Sequence, residues 1–522
     1  MGGESAIVVG AGAGGLSAAL DLALAGFAVT VVETAAGPGG KMREVVVGGR
    51  GVDAGPTVFT MRWVFDELFA AAGTTLADEL ALTPLDVLAR HAWSGGGRLD
   101  LHADTGRSAD AIGDFAGAAE ARHFRAFCDR AARIYKTLEE PFLRAERCRS
   151  PLDLVRRLGL SRLPEVLAIS PFATLWGALG RHFRDPRLRQ LFGRYATYCG
   201  SSPFLAPATL MLIAHVEQQG VWVIDGGMHR LAEALVRAAQ RHGAVFRFGA
   251  PVDTVLVERG RAAGVVLAGG ERLAADVVIL NADVSAVAEG RFGTALRRTA
   301  RGVPQAARSL SAVTWCLVAE ADGFPLHHHT VFFSDDYLAE FDRLQRDRRL
   351  PDDPTVYVCA EDRDFGSRGA GTARSDGAPG GPERLLVLVN APPTGDATPP
   401  SAAALAACGH AAFDRLRRCG LVLRHRPEDS VVTTPVDFHR LFPGTGGALY
   451  GRASHGWMAS FQRPGSRTRI PGLYLAGGST HPGPGVPMAA LSGRLAAAAA
   501  TADRDSTSRS RRAGICGGTS TR

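Results

Sequence analysis

Lysine is almost missing from this chain. Only Lys41 and Lys136 occur in 522 residues, so nearly all of the positive charge behind the formal net +7 is arginine. A bias of this kind follows genome composition and says little about function. The clusters around Arg181, Arg184, Arg187 and Arg189, and from Arg343 to Arg349, read as solvated faces, with attraction to anionic lipid headgroups as the functional alternative. No nucleic-acid module or aromatic-basic interleaving accompanies them, which argues against a nucleic-acid partner. Paired cysteines are absent too. Cys128, Cys148, Cys199, Cys316, Cys359, Cys408, Cys419 and Cys516 are scattered without a CxxC. This argues against zinc, iron–sulfur or disulfide frameworks and for a reducing compartment. Long apolar runs are also lacking: no stretch reaches the roughly 18–20 residues of a transmembrane helix. The nearest, Ala168 to Gly180, is broken by Pro171 and followed by Arg181. It suits either a segment lying on a membrane surface or a buried core helix. No signal peptide precedes the first apolar strand, so the chain is expected in the cytoplasm or on the cytoplasmic membrane face.

What is present is a dinucleotide-binding signature. Ala6 to Val9 is an apolar strand pattern, Gly10-Ala11-Gly12-Ala13-Gly14-Gly15 a glycine turn, and an Ala/Leu-rich helix pattern follows. The apolar run Ala28 to Val32 then ends in Glu33. Gly10 permits the tight turn, Gly12 lets backbone approach a pyrophosphate, and Gly15 lets helix and strand pack closely. The helix N-terminus offers N–H groups to the phosphates. Glu33 falls where a carboxylate accepts hydrogen bonds from ribose hydroxyls and disfavours a 2′-phosphate, which points to FAD or NAD rather than NADP. With 46% hydrophobic and 21% charged residues the composition is that of a globular protein with a sizeable core.

Nucleotide signals return in two later blocks. Gly37 to Met42 is a glycine loop bearing one cation, followed by Val52 to Thr57. The second block runs from Gly226-Gly227-Met228 through a helix and several strands to Asn281-Ala282-Asp283. The third joins the strand Leu473-Tyr474-Leu475 to Gly477-Gly478, His481 to Pro487 and an Ala-rich helix. A nucleotide domain in three pieces (1–60, 221–285 and 446–500) leaves 61–220 and 286–445 for a second, interleaved domain. The first insertion is helix-rich, as at Ala118 to Glu140, and the second has strand-like runs at Ser311–Val318 and Leu385–Asn390. Ser367 to Gly381 reads as a disordered low-complexity loop, and 501–522 as a flexible tail.

These motifs together resemble the flavin-dependent amine oxidase superfamily, and within it the bacterial carotenoid desaturases of the phytoene desaturase type. The resemblance also rests on Arg189-Gln190-Leu191-Phe192, with Gly200 and Pro203 downstream, and on Gly220-Val221-Trp222. Narrower segments, Asp53 to Phe65, Tyr450 to Trp457 and Ala476 to Gly483, look like the 1-hydroxycarotenoid 3,4-desaturases (methoxyneurosporene dehydrogenases) of phototrophic bacteria. The fold class implied is α/β: a Rossmann-like FAD-binding domain interleaved with a mixed α+β substrate domain. The resemblance implies FAD as cofactor. Gly10, Gly12, Gly15 and Glu33 would hold its ADP half, Gly40 and Lys41 would lie beside the phosphates, and the Val252 backbone would meet adenine. Gly55, Pro56 and Thr57 would lie along the isoalloxazine, with Gly478, Gly485, Val486 and Pro487 near its pyrimidine edge. Lysine stands at 41 where the family often has arginine, giving up the bidentate fork.

The implied reaction forms a C-3,4 double bond in a 1-hydroxylated or 1-methoxylated acyclic carotenoid by hydride transfer to flavin. The tunnel would be aromatic and aliphatic, with a polar group for the 1-hydroxyl. A substrate insoluble in water implies docking on the bilayer, for which Ala168–Gly180 is the candidate surface. The electron acceptor stays open. Arg149 and Asp153 lie near an Arg/Asp pair proposed to assist catalysis in related desaturases; a surface ion pair or helix cap is the alternative. His455 and His481 suit structural hydrogen bonds or proton transfer. His327-His328-His329 resembles a metal tract, but alternating strand faces argue against convergence on one ion, so no metal is expected. The other readings are an earlier-acting phytoene-type desaturase, a protoporphyrinogen or amine oxidase, and a lipid carrier like the Rab GDP-dissociation inhibitors.

Overall fold

The computed structural model describes residues 4–159, 161, 169, 170, 172–364 and 381–516, with side chains as far as 506. Its nucleotide-type layer is built from β1 (Ser5–Val9), α1 (Ala13–Leu24), β2 (Ala28–Val32), α2 (His229–Arg241), β3 (Val245–Arg247), β4 (Val277–Leu280), β5 (Leu473–Leu475) and α3 (Val486–Cys516). The five strands form one parallel sheet in the order β5-β4-β1-β2-β3. β1 and β4 are apolar on both faces because the sheet is covered on both sides. α1 buries Leu16, Ala18, Ala19, Leu20 and Leu22 and packs against α2 and α3. Its contact with α3 is backbone to backbone: a Cβ on Gly493 would lie 1.9 Å from the carbonyl oxygen of Gly14.

A second sheet is mixed and larger. Ser311–Asp322 pairs antiparallel with Glu383–Ala391, which pairs with Val356–Ala360 and, through it, His329–Phe332. His329–Phe332 lies parallel to Val87–Ala92, so strands distant in sequence share one sheet. The helix Ala118–Leu138 buries Ala121, Phe124, Phe127, Cys128, Ala131, Ile134 and Tyr135, a stripe with the helical period.

Two expectations need correction or placement. α3 does not end near residue 500: it continues to Cys516, with Tyr474 Oη donating to Asp503 Oδ2 at 2.7 Å and the Arg504 guanidinium over the Phe27 ring at 4.4 Å. The alanine run favours the helix and these contacts anchor it, where composition alone suggested a flexible tail. Residues 367–380 and 517–522 lie outside the described residues, as do 168 and 171 of the apolar segment. Among the described residues no helix is long and apolar enough to cross a membrane.

Candidate functional site

The β1–α1 turn is closed by contacts only glycine tolerates. Gly10 has φ +98°, and a Cβ on Gly15 would lie 1.9 Å from the carbonyl oxygen of Gly10. Gly12 occupies the N-cap of α1 and no side chain caps the helix, which leaves its first-turn N–H groups to an incoming acceptor. Glu33 reaches back to the turn and accepts from the N–H of Ala11 at 2.6 Å and of Ala35 at 2.8 Å. Ala250 donates to the Glu33 backbone carbonyl, which ties the start of the strand at Val252 to the end of β2. Gly39 donates to the Ala11 carbonyl, and a Cβ on Gly40 would sit 3.2 Å from Gly12 Cα. Asn281 joins the second block to the first, its Nδ2 donating to the Gly10 carbonyl at 3.2 Å.

Lys41 is directed elsewhere. Its Nζ donates to the Leu449 carbonyl at 2.5 Å and stands over the Phe442 ring. Burial lowers its pKa, with Asp283 opposing. Arg463, fully buried, clamps the third block by donating to the carbonyls of Tyr450, Arg452 and Gly478. Sequence reading passed over it because no motif surrounds it. Gly485 is exposed, while Val486 and Pro487 are buried where α3 begins.

The partial accessibility of side chains deep in the protein implies a hollow between these elements and the mixed sheet. Lys41, Arg194, Tyr198, Cys199 and Tyr450 are enclosed by protein yet keep accessible surface, so that surface faces an internal space. Gly55, Pro56 and Thr57 are partly accessible as well. An uncapped helix start and a carboxylate at the ribose position together fit FAD.

The polar groups around the hollow form chains. Thr57 Oγ1 and the Tyr357 hydroxyl are 2.6 Å apart, and Tyr357 reaches His329 Nδ1 at 2.7 Å. Tyr195 and Tyr198 both donate to Glu217, whose carboxyl burial pushes up in pKa. Asp53 accepts from the N–H of Met228, and its own N–H donates to Glu361. Burial raises both carboxyls above the ordinary range. Apart from Thr57, His329 in the histidine tract, and Asp53 and Met228 at motif positions, none of these groups was singled out from sequence, since chains linking residues hundreds of positions apart leave no local pattern.

Asp153 stands in a capping box: it accepts from the N–H groups of Arg149 and Ser150, while its own N–H donates to Ser150 Oγ. Arg149 is exposed. His455 Nε2 accepts from Ser202 N at 3.0 Å, and His481 Nε2 meets the Ala145 carbonyl at 3.0 Å. Burial drops both imidazoles to about 4, so they are neutral near pH 7. The histidine tract does not simply alternate: His327 pairs with Asp364, while the buried rings of His328 and His329 lie 4.7 Å apart. Their ligand atoms and Cys359 Sγ all fall within 4.8 Å of one another. The strand starts only at His329, so alternation does not govern His328.

The flavin containing amine oxidoreductase family model matches residues 13–501. Hydroxyneurosporene desaturase of Rubrivivax gelatinosus is 55% identical over 517 residues, 99% of this chain and 97% of the relative. The protein of the same name from Cereibacter sphaeroides is 46% identical, covering 96% of this chain and 98% of its own. Among solved structures, cyclohexylamine oxidase from Brevibacterium oxydans has a TM-score of 0.54 at 15% identity, with 96% of this chain and 100% of the other covered, a likeness of fold alone.

Proposed function

Because the chain belongs to the flavin-containing amine oxidoreductase family, we propose that it is an FAD-dependent carotenoid desaturase, an oxidoreductase acting on CH–CH bonds, that introduces a C-3,4 double bond into a 1-hydroxylated or 1-methoxylated acyclic carotenoid. The observation that carries this is 55% identity over nearly the full length to a hydroxyneurosporene desaturase. The reaction removes a hydride from one carbon and a proton from its neighbour, and bound FAD supplies the hydride acceptor. Gly10, Gly12, Gly15, Glu33 and the backbone at Val252 hold the ADP half, with Gly40 beside the phosphates. Lys41 acts from its position at Leu449, fixing the loop that carries Gly55, Pro56 and Thr57: a Cβ on Gly55 would lie 1.8 Å from the Lys41 carbonyl oxygen. Arg463 keeps Gly478 in place, and the N-terminus of α3 at Gly485, Val486 and Pro487 presents its positive end to the same site. The enclosed hollow excludes water and aligns the polyene.

The division into an FAD-binding part (1–60, 221–285, 446–500) and a substrate part (61–220, 286–445) is supported by the parallel sheet drawing strands from all three blocks. Delivery of an insoluble polyene calls for peripheral docking on a membrane. Only the start of Ala168–Gly180 can supply that contact: Thr174 caps a helix at Leu175–His182, and Trp176 packs on Phe204 at 4.7 Å. The exposed side chains of Phe172, from that segment, and of Leu205 and Trp457 supply the surface, with Phe172 and Trp457 edge-to-face at 5.2 Å and the Leu205 carbonyl bonded to Gly456.

The test is to mix the protein and FAD with liposomes carrying 1-hydroxyneurosporene and follow the polyene spectrum. A red shift marks one more conjugated double bond. Bound flavin without a shift, together with turnover of phytoene, would assign an earlier desaturation, and no bound flavin would assign a carrier.

A further inference from the structure

Arg194 opens the short helix Arg194–Cys199 and is enclosed by protein, with its accessible surface facing the hollow. The other enclosed arginines are matched. Arg363 forks onto Glu383 at 2.8 and 2.6 Å, Arg415 onto Asp335 and Asp353, and Arg463 onto three carbonyls. Arg194 has no carboxylate within ion-pair distance among the described residues. The rings of Tyr357 and Tyr198 lie 5.3 and 5.4 Å from its guanidinium carbon, and the Tyr198 oxygen is a hydrogen-bond neighbour. Glu217, the nearby acid, is engaged by Tyr195 and Tyr198. A guanidinium has five N–H donors, and a buried charge with unused donors is costly unless something supplies acceptors.

We propose that Arg194, oriented by the Tyr198–Glu217 pair and flanked by Tyr357, is the subsite that receives the oxygen on C1 of the carotenoid. This rests on the desaturase reading above and adds the residue that selects the oxygenated substrate. Position agrees with chemistry. Tyr357 is hydrogen-bonded to Thr57, placed along the isoalloxazine, and in the substrate only C2 separates the oxygenated carbon from C3. The oxygen then comes to rest beside the redox centre, where Arg194 offers donors with no carboxylate opposite it among the described residues. Because arginine only donates, the subsite takes the lone pairs of a hydroxyl or of a methoxy group alike. A carotene lacking that oxygen leaves the guanidinium against hydrocarbon.

The test uses flavin-loaded protein and binding titrations, read from the polyene spectrum, with 1-hydroxyneurosporene, its 1-methoxy derivative and neurosporene. The wild-type protein should bind both oxygenated polyenes about 10- to 100-fold more tightly than neurosporene. Equal affinity for all three overturns the subsite without need of any variant. Arg194→Leu should erase the preference by weakening the oxygenated ligands while neurosporene binding holds or improves, with flavin content unchanged. An unaltered preference in that variant overturns the assignment to Arg194, while wild-type desaturation would still uphold the function. A wild-type protein that holds flavin but binds none of the polyenes overturns both.

Discussion

Asp153 sits three residues after Ser150, and that spacing decides its use. Its carboxylate closes the capping box of a helix, so Asp153→Ala should lower stability by about 1 kcal/mol and leave kcat unchanged, measured by thermal melts and polyene turnover. Histidines give the pH response. Burial holds His328, His455 and His481 near 4, so the folded protein binds fewer protons than the unfolded chain between about pH 4 and 6.5. The histidine contribution should thus be fully present above pH 6.5 and be lost as pH falls toward 4, by about 2–3 kcal/mol for each histidine, while the raised carboxyls of Asp53 and Glu361 act in the opposite sense. Melting temperature against pH for wild type and His455→Gln, which keeps an acceptor for Ser202 N–H, checks this: the variant should lose less between pH 6.5 and 4 than wild type. Single residues were legible where a backbone rule constrains them, as at Gly10, Gly15 and Glu33. Arg194 and Arg463 were not, because nothing local in an arginine-rich chain marks which guanidinium is enclosed.

Among elements, those with a strong period or a glycine boundary could be read directly. β1, α1 and β2 lie where the signature puts them, and the helix expected at Ala118 to Glu140 spans Ala118–Leu138. The run near Ala168–Gly180 was ambiguous because its apolar residues serve packing on one side only: Leu175, Ala178 and Leu179 are buried, and Trp176 is held by Phe204 and Tyr337. Its first part, at Phe172, and the neighbouring Trp457 carry the exposed surface. Replacing both Phe172 and Trp457 by Ser should reduce liposome association several-fold in a flotation assay while melting temperature changes little, since both are exposed. Trp176→Asp should instead destabilise the fold, by placing a carboxylate among aromatic rings.

For the whole molecule, three sequence blocks compose one parallel sheet and two insertions share another through the parallel pairing of His329–Phe332 with Val87–Ala92. The first arrangement was visible in the recurrence of nucleotide motifs. The second was not, because strand partners separated by more than two hundred residues are chosen by packing rather than by local pattern. FAD should raise the melting temperature in proportion to the logarithm of its concentration, about 3 kcal/mol of stabilisation at a hundredfold excess over Kd. A calorimetric scan with and without FAD checks it, and an unmoved transition would contradict a site shared among all three blocks.

The contact between Gly14 and Gly493 bears on how the protein matures. On the ribosome β1 and α1 emerge several hundred residues before the helix that packs against their backbone. At about 5–20 residues per second the N-terminal unit waits roughly half a minute or longer for its partner. The nascent N-terminal half therefore stays without this cover until the helix from Val486 has been made, and the full cofactor site can close only then.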